Sequence, residues 1–313
     1  MPEPGRPDKP RSTAEPAPAS VTEGTLSRPS DTVTVAQLIK SCPLPRHEFW
    51  ALLEGATGRA REYWIAHDDE PLTPRAHALL NRWIGLRSGG TPLAYLLGWR
   101  EFYGRRFWVN PSTLIPRSDT ELLIDTAVPL IRQASAGRTD LRVCDLGTGS
   151  GCIGLTLALE CPSLKVTATD ISAAALQTAA NNAAWWGLQD RVDFRQGDWW
   201  QAVATPPAIS PFFGVVSNPP YIGAEDPHLA HGDLRFEPPQ ALRPIGDASG
   251  LTAIADLLTA AELHLEPDGF FLVEHGFDQQ AQVINLVRDA GFCKITGLRD
   301  TVGLPRAVLA FRL

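Results

Sequence analysis

The sequence has little of what marks several common protein classes. Its five cysteines (Cys42, Cys144, Cys152, Cys161, Cys293) are odd in number and show no C-x-x-C spacing, which argues against a disulfide framework and a cysteine zinc site. A reducing, cytoplasmic compartment is therefore expected. No dense Lys/Arg block occurs, and the net charge is −7 with a pI near 5.5. The electrostatic footprint of a nucleic-acid binder is thus not visible, and no direct nucleic-acid partner is expected. No apolar run approaches membrane-spanning length and the start lacks a signal-peptide core, so no membrane partner is expected. The G-x-x-x-x-G-K-[ST] and H-E-x-x-H patterns are also missing, which removes P-loop and zincin chemistry from consideration.

What is there reads as an ordinary globular chain, 44% hydrophobic and 20% charged, long enough at 313 residues for one large or two modest domains. Residues 1–30 are rich in Pro, Ser, Thr and Ala with almost no large apolar side chains, and are expected to be a disordered, dispensable tail. Apolar residues then recur at helical spacing (Val35, Leu38, Ile39; Phe49, Leu52, Leu53; Ala76, Leu79, Leu80, Trp83), predicting a helical bundle over 31–88. Thr73-Pro74 reads as a helix start, and Trp50, Tyr63, Trp64 and Trp83 as core. A linker over 89–116 carries the glycine and aromatic pattern of a β-hairpin, and Ser118 or Asp119 is placed to cap the helix that follows. From 117 to 313, seven strand patterns alternate with helical ones, the last helices being expected at 251–265 and 279–290. The fold class expected is α/β, Rossmann-like, a mostly parallel seven-stranded sheet with helices on both faces.

Two stretches carry chemistry. Leu141–Leu146 runs into Gly147-Thr148-Gly149-Ser150-Gly151 and then a helix, a strand–turn–helix that brings backbone close to a nucleotide-like ligand. The glycines do not have the dinucleotide G-x-G-x-x-G spacing, and no hydride-transfer site is recognisable. The second stretch is Val215-Val216-Ser217-Asn218-Pro219-Pro220-Tyr221. Each proline restricts the residue before it and neither has an N–H, so the turn presents aimed acceptors suited to a planar –NH2. Read alone, it is equally a rigid surface turn.

Asp170 closes the second strand about twenty residues after the glycine turn, where an acid can accept from ribose hydroxyls. Its alternative is a helix N-cap, for which Ser172 is the nearer candidate. Asp198 and Trp199 follow the third strand, where a carboxylate can take an adenine amino group while an indole packs on the ring. Arg117 beside a helix start admits a structural reading and a carboxylate-holding one. His228 and His231, near Glu225, Asp226 and Asp233, read as a solvated loop, so no metal is expected.

Together the two motifs resemble the class I methyltransferases that use S-adenosylmethionine on planar nitrogens. Leu114-Ile-Pro-Arg-Ser-Asp-Thr-Glu121, Pro92-Leu-Ala-Tyr-Leu-Leu-Gly98, Arg100-Glu-Phe-Tyr-Gly104, Arg235-Phe-Glu-Pro238 and Glu274-His-Gly276 extend the likeness to the bacterial release-factor glutamine methyltransferases, HemK or PrmC, from the bundle to the last strand. Ser118 stands where that family usually has proline, and Ala248-Ser249-Gly250 replaces a more acidic loop.

The resemblance implies N5-methylation of the glutamine in the Gly-Gly-Gln motif of peptide chain release factors, with 117–313 as the methyltransferase domain and the bundle recognising the protein substrate. It implies that Gly147 to Gly151, Asp170, Trp199 and Asn218 hold the cofactor. Asp198 joins them on the residue reading above. Asn218, Pro219, Pro220 and Tyr221 would hold the glutamine, with Asn218 and Pro219 accepting its amide protons and Tyr221 and Phe102 walling the slot. The protein is expected to act as a monomer. Alternatives within reach of the same turn are a glutamine of a ribosomal protein and, less well matched by the acidic charge, the exocyclic amine of DNA adenine. A cofactor-binding adaptor without catalysis would be favoured by a broken turn, and both motifs are intact.

Overall fold

The computed structural model describes residues 33–313 apart from 205–207, 209, 224, 227, 228, 230, 231, 245 and 246. The expected tail, and both histidines of the polar insert, lie outside the described residues. The described residues open with four helices, α1 (Val35–Ser41), α2 (Arg46–Thr57), α3 (Arg61–Ala66) and α4 (Pro74–Ser88). Thr34 and Gln37 form a reciprocal capping box on α1, and the Thr73 hydroxyl accepts from Ala76 N with Pro74 in the first turn of α4. Phe49, Trp50, Leu52, Leu53, Trp64 and Leu80 meet in one apolar cluster, with Tyr63 and Trp83 packed against it. The aromatic residues are core, as their spacing suggests. Helix α3 has only six residues, too few for a helical period to declare itself in sequence.

A single turn, α5 (Leu93–Leu97), leads into the antiparallel hairpin β1 (Trp99–Phe102) and β2 (Arg105–Trp108). Tyr103 and Gly104, at φ of 53° and 69°, supply the two left-handed residues a tight hairpin turn needs. Neither Ser118 nor Asp119 caps α6 (Glu121–Ser135) through its side chain. Residues 118–120 wind a 3₁₀ turn straight into the helix, and Thr120, at its N-cap, commits its hydroxyl elsewhere.

The sheet comprises β3 (Arg142–Leu146), β4 (Lys165–Asp170), β5 (Val192–Gln196), β6 (Phe212–Ser217), β7 (Leu265–Glu274), β8 (Cys293–Arg299) and β9 (Pro305–Phe311). Its order is β5-β4-β3-β6-β7-β9-β8, with β9 antiparallel to its neighbours and the remaining pairs parallel. The intervening helices are α7 (Cys152–Glu160), α8 (Ala173–Trp185), α9 (Pro239–Leu242), α10 (Thr252–Leu258), α11 (Ala261–His264) and α12 (Gln280–Asp289). Because strand side chains alternate, Val143, Val166, Val216 and Leu272 enter one apolar cluster while Cys144, Val215, Phe271 and Val273 enter the other. The sheet is thus covered on both faces, as the near-continuous apolar strands require.

One helix departs from expectation. Residues 251–265 do not form a single helix: α10 stops at Leu258, α11 follows, and Leu265 already pairs with Phe212 in the sheet. The Trp200 indole N–H donates to Leu257 O at 2.7 Å, taking the carbonyl that the next helical turn would use.

Candidate active site

The strand order reverses between β3 and β6, and ligands of such sheets sit beyond the carboxyl ends of the strands at that point. Register then brings the two motifs together. Leu146 pairs with Thr169 on one side and Ser217 on the other, so Gly147, Asp170 and Asn218 leave three adjacent strands side by side. Ser217 Oγ also donates to Leu146 O at 2.6 Å, binding the two strand ends.

Gly147, Thr148, Gly149 and Ser150 line one cavity there, and Gly151 sits just outside it at the start of α7. Gly147 has a φ of 74°, and a Cβ on it would lie 3.2 Å from the Trp199 ring, so only glycine leaves that floor open. The turn is held from below by Asp145, which is fully buried. Its Oδ2 accepts from Thr148 Oγ1 at 2.6 Å and Gly154 N at 3.0 Å. Burial pushes its carboxyl up to about 6 despite those donors.

Asp170 lines the same cavity. Its Oδ2 accepts from Gly149 N and its Oδ1 from Ser172 N, both at 2.9 Å, while Ser172 takes the helix-capping role by accepting from Ala175 N at 3.2 Å. A carboxylate has about four acceptor positions, so capacity remains for a ligand's hydroxyl. Burial raises its pKa above the ordinary carboxylate value. Asp198 and Trp199 line the cavity too, Trp199 at a left-handed φ of 43° that a bulky residue rarely adopts. The adjacent indole goes the other way: Trp200 is buried and stacks on His264 with centroids 4.4 Å apart.

Asn218 and Pro220 line the cavity from the β6 side, and Asn218 Nδ2 donates to Thr120 Oγ1 at 3.1 Å. Pro219 is buried and does not line it. The expectation that Tyr221 and Phe102 wall this slot is corrected. Tyr221 turns its hydroxyl towards the end of β7, donating to Glu274 Oε1 at 3.0 Å. Phe102 is 1% exposed and packs edge-on against Phe107 in the core, because an aromatic at the inward position of a hairpin strand gains more from burial than from a wet rim.

Arg117 also reaches the cavity, yet its guanidinium pairs with Glu237, which is 3% exposed and also accepts from Ile115 N at 2.9 Å. Arg117 thus ties the 114–121 segment to 235–238 while lining the site. Residue reasoning missed Thr120, Asp145 and Glu274. Asp145 had a signal in the acid directly before the glycine turn; Thr120 and Glu274 had none beyond family likeness, since hydroxyls and strand-end acids are commonplace. Among the described residues no three or more His, Cys, Asp or Glu cluster as a metal site would require.

A glycine floor, an acid with spare acceptors one strand away and an acceptor turn on the opposite strand define a class I, S-adenosylmethionine-dependent methyltransferase. Residues 120–247 match the family described as methyltransferase small domain, and 34–98 match the PrmC N-terminal domain. A release factor glutamine methyltransferase of Bordetella pertussis is 46% identical over 84% of this chain and 93% of its own length. The proteins of that name from Xylella fastidiosa and Neisseria gonorrhoeae are 44% and 43% identical, over 80% and 85% of this chain and 87% and 93% of theirs. The chain belongs to the release factor glutamine methyltransferase family.

Proposed function

We propose that the protein transfers the methyl group of S-adenosylmethionine to the N5 side-chain nitrogen of the glutamine in the Gly-Gly-Gln motif of peptide chain release factors. The observation that carries this reading is the acceptor turn Asn218-Pro219-Pro220 placed one strand from the glycine turn at the reversal point of the sheet. The cofactor supplies an electrophilic methyl on a sulfonium. On this reading the floor at Gly147 to Gly151 admits it, Asp170 accepts from its ribose, and Asp198 and Trp199 take its adenine.

An amide nitrogen is a poor nucleophile because its lone pair is delocalised into the carbonyl. Asn218 Oδ1 and the Pro219 carbonyl would accept its two protons, aim the nitrogen towards the cofactor's methyl and stabilise the positive charge that grows on it. The extra proton then leaves to solvent, so no general base is assigned. Because Tyr221 points to β7, its part is to hold the turn rather than to wall the slot.

The helical bundle is suited to recognising the protein substrate. It is linked to the insert after β6 by Arg87, which reaches Glu48 at 2.7 Å within the bundle and Asp233 at 2.9 Å in the insert. That insert also carries Glu237, the partner of Arg117 beside the cavity. On this reading the protein acts as a monomer on a protein substrate in the cytoplasm. The test is mass spectrometry of a release factor incubated with the protein and S-adenosylmethionine. One added methyl on the Gly-Gly-Gln glutamine is expected; cofactor binding without that gain moves the substrate to another glutamine-bearing protein.

A further inference from the structure

Helix α8 turns two polar side chains into the protein, Thr178 at 4% exposure and Asn182 at 0%. Four residues apart, they share a face otherwise made of Ala175, Ala179 and Ala183. Asn182 Oδ1 accepts from Trp108 N at 2.7 Å, while its Nδ2 donates to Trp108 O at 3.0 Å and to Ser150 O at 2.8 Å. Both amide protons and the side-chain oxygen are therefore used. Thr178 Oγ1 donates to Ala174 O at 3.0 Å and accepts from Asn110 Nδ2 at 2.9 Å, and Asn110 Oδ1 accepts from Ser112 N at 2.9 Å. Ser150 lines the cavity from the glycine turn, and Ser112 and Thr113 line it from the segment after β2. One helix face thus holds two separate stretches of the cavity wall.

Neither stretch is rigid by its own composition. Gly147, Gly149 and Gly151 all have positive φ, and glycine loses more conformational freedom on ordering than any other residue. Asp145 and Asp170 restrain this turn through Thr148, Gly154 and Gly149, and Asn182 adds a restraint at the Ser150 carbonyl. At the other stretch, hydrogen-bond direction decides the geometry. The Thr178 hydroxyl proton is committed to Ala174 O, so its oxygen can only accept from Asn110. Asn110 must then present Nδ2 to it, which leaves Oδ1 for Ser112 N; turned over, the amide would set a donor against that N–H. Ordering completed during folding does not have to be repeated when a ligand binds.

We propose that Asn182 and Thr178 are positioning residues for S-adenosylmethionine binding, a clamp on α8 that holds the glycine turn and the 110–113 turn as two preformed walls of the cofactor cavity. The clamp concerns the methyl donor alone and is independent of which protein receives the methyl group.

Full-length wild type, T178V, T178S, N110A, the T178V/N110A double variant and N182A are compared by calorimetric titration with S-adenosylmethionine and by hydrogen exchange of the cofactor-free proteins. T178V keeps the side-chain shape and removes the acceptor, so cofactor affinity is expected to fall about threefold to tenfold, the worth of one net hydrogen bond. The Ser112 amide should exchange faster in that variant while the amides of β3 and β4 stay protected, a local change that general destabilisation would not give. T178S keeps the hydroxyl and is expected within about twofold of wild type. N110A should weaken binding at least as much as T178V, and the double variant no more than N110A, because both changes act through one bond. Wild-type affinity in T178V, T178S as weak as T178V, or losses that add in the double variant overturn the clamp at Thr178. N182A leaves the Ser150 carbonyl without its donor and should lower affinity about tenfold to a hundredfold. In wild type the Asn182 side-chain amide should exchange slowly before cofactor is added. Wild-type affinity in folded N182A overturns the clamp at Asn182, and so does rapid exchange of that amide in wild type, which is decisive even where N182A fails to fold.

Discussion

Replacing Asn218 by alanine removes an acceptor that no neighbour in the turn can supply, because Pro219 and Pro220 contribute only backbone carbonyls. Its amide is also half-exposed at the cavity wall rather than part of the core, so the fold should survive the change. Asn218→Ala is expected to lower the transfer rate by about a hundredfold to a thousandfold, the usual cost of losing one preorganised electrostatic contact, while circular dichroism changes little. Wild-type turnover in that variant would contradict the role assigned to the residue. The same scale explains why Tyr221 was misplaced by residue chemistry. A tyrosine after Asn-Pro-Pro looks like a wall, but its phenol is drawn to the nearest strong acceptor, and Glu274 comes from a strand 53 residues further along the chain. No local pattern announces that partner.

Elements were legible where period and length agree. All seven strands of the large sheet and both strands of the hairpin follow patterns visible in the sequence, and α7 begins and ends where its apolar run does. The exception is the segment after Gly250, whose apolar spacing reads as one helix through 265 and which folds as α10, α11 and the start of β7. Helical propensity is a weak prior there. A hydrogen bond from Trp200, in a different part of the chain, outweighs it. Trp200→Phe keeps the ring stacked near His264 and removes only the indole N–H. It should destabilise the protein by about 1–3 kcal/mol, because Leu257 O is left buried without its partner. Urea unfolding checks this, and an unchanged midpoint would show that the helix break has another cause.

For the whole molecule, two buried acids make stability depend on pH in a direction opposite to the usual paired carboxylate. Burial raises Asp145 from 3.8 to about 6 and Glu274 from 4.5 to about 7. Between the unfolded and folded values the folded state keeps a proton that the unfolded state has lost. Their contribution is therefore complete below about 4 and is lost as pH rises through about 6 and 7. Glu274→Gln should remove the part belonging to Glu274. Urea unfolding should find the variant more stable relative to wild type at pH 8 than at pH 5, by an amount on the order of 1–3 kcal/mol. An equal difference at both pH values would mean that Glu274 does not carry the raised pKa. Deleting residues 1–30 should leave methyl transfer unchanged, since that stretch has too few large apolar side chains to build a packed element; a large loss would make it a recognition segment.

The sequence by itself determined the fold class, the two motifs and the chemistry they suit, because β-branched runs, glycines at left-handed positions and paired prolines act through bonds and immediate neighbours. Tertiary structure alone decided what stands behind those motifs. Thr120 against Asn218 and Glu274 against Tyr221 are set by strand order and register, and Phe102 in the core by the packing of the hairpin. Those contacts join residues that are remote in the chain or common in type, and burial assigns them a role that composition and spacing cannot encode.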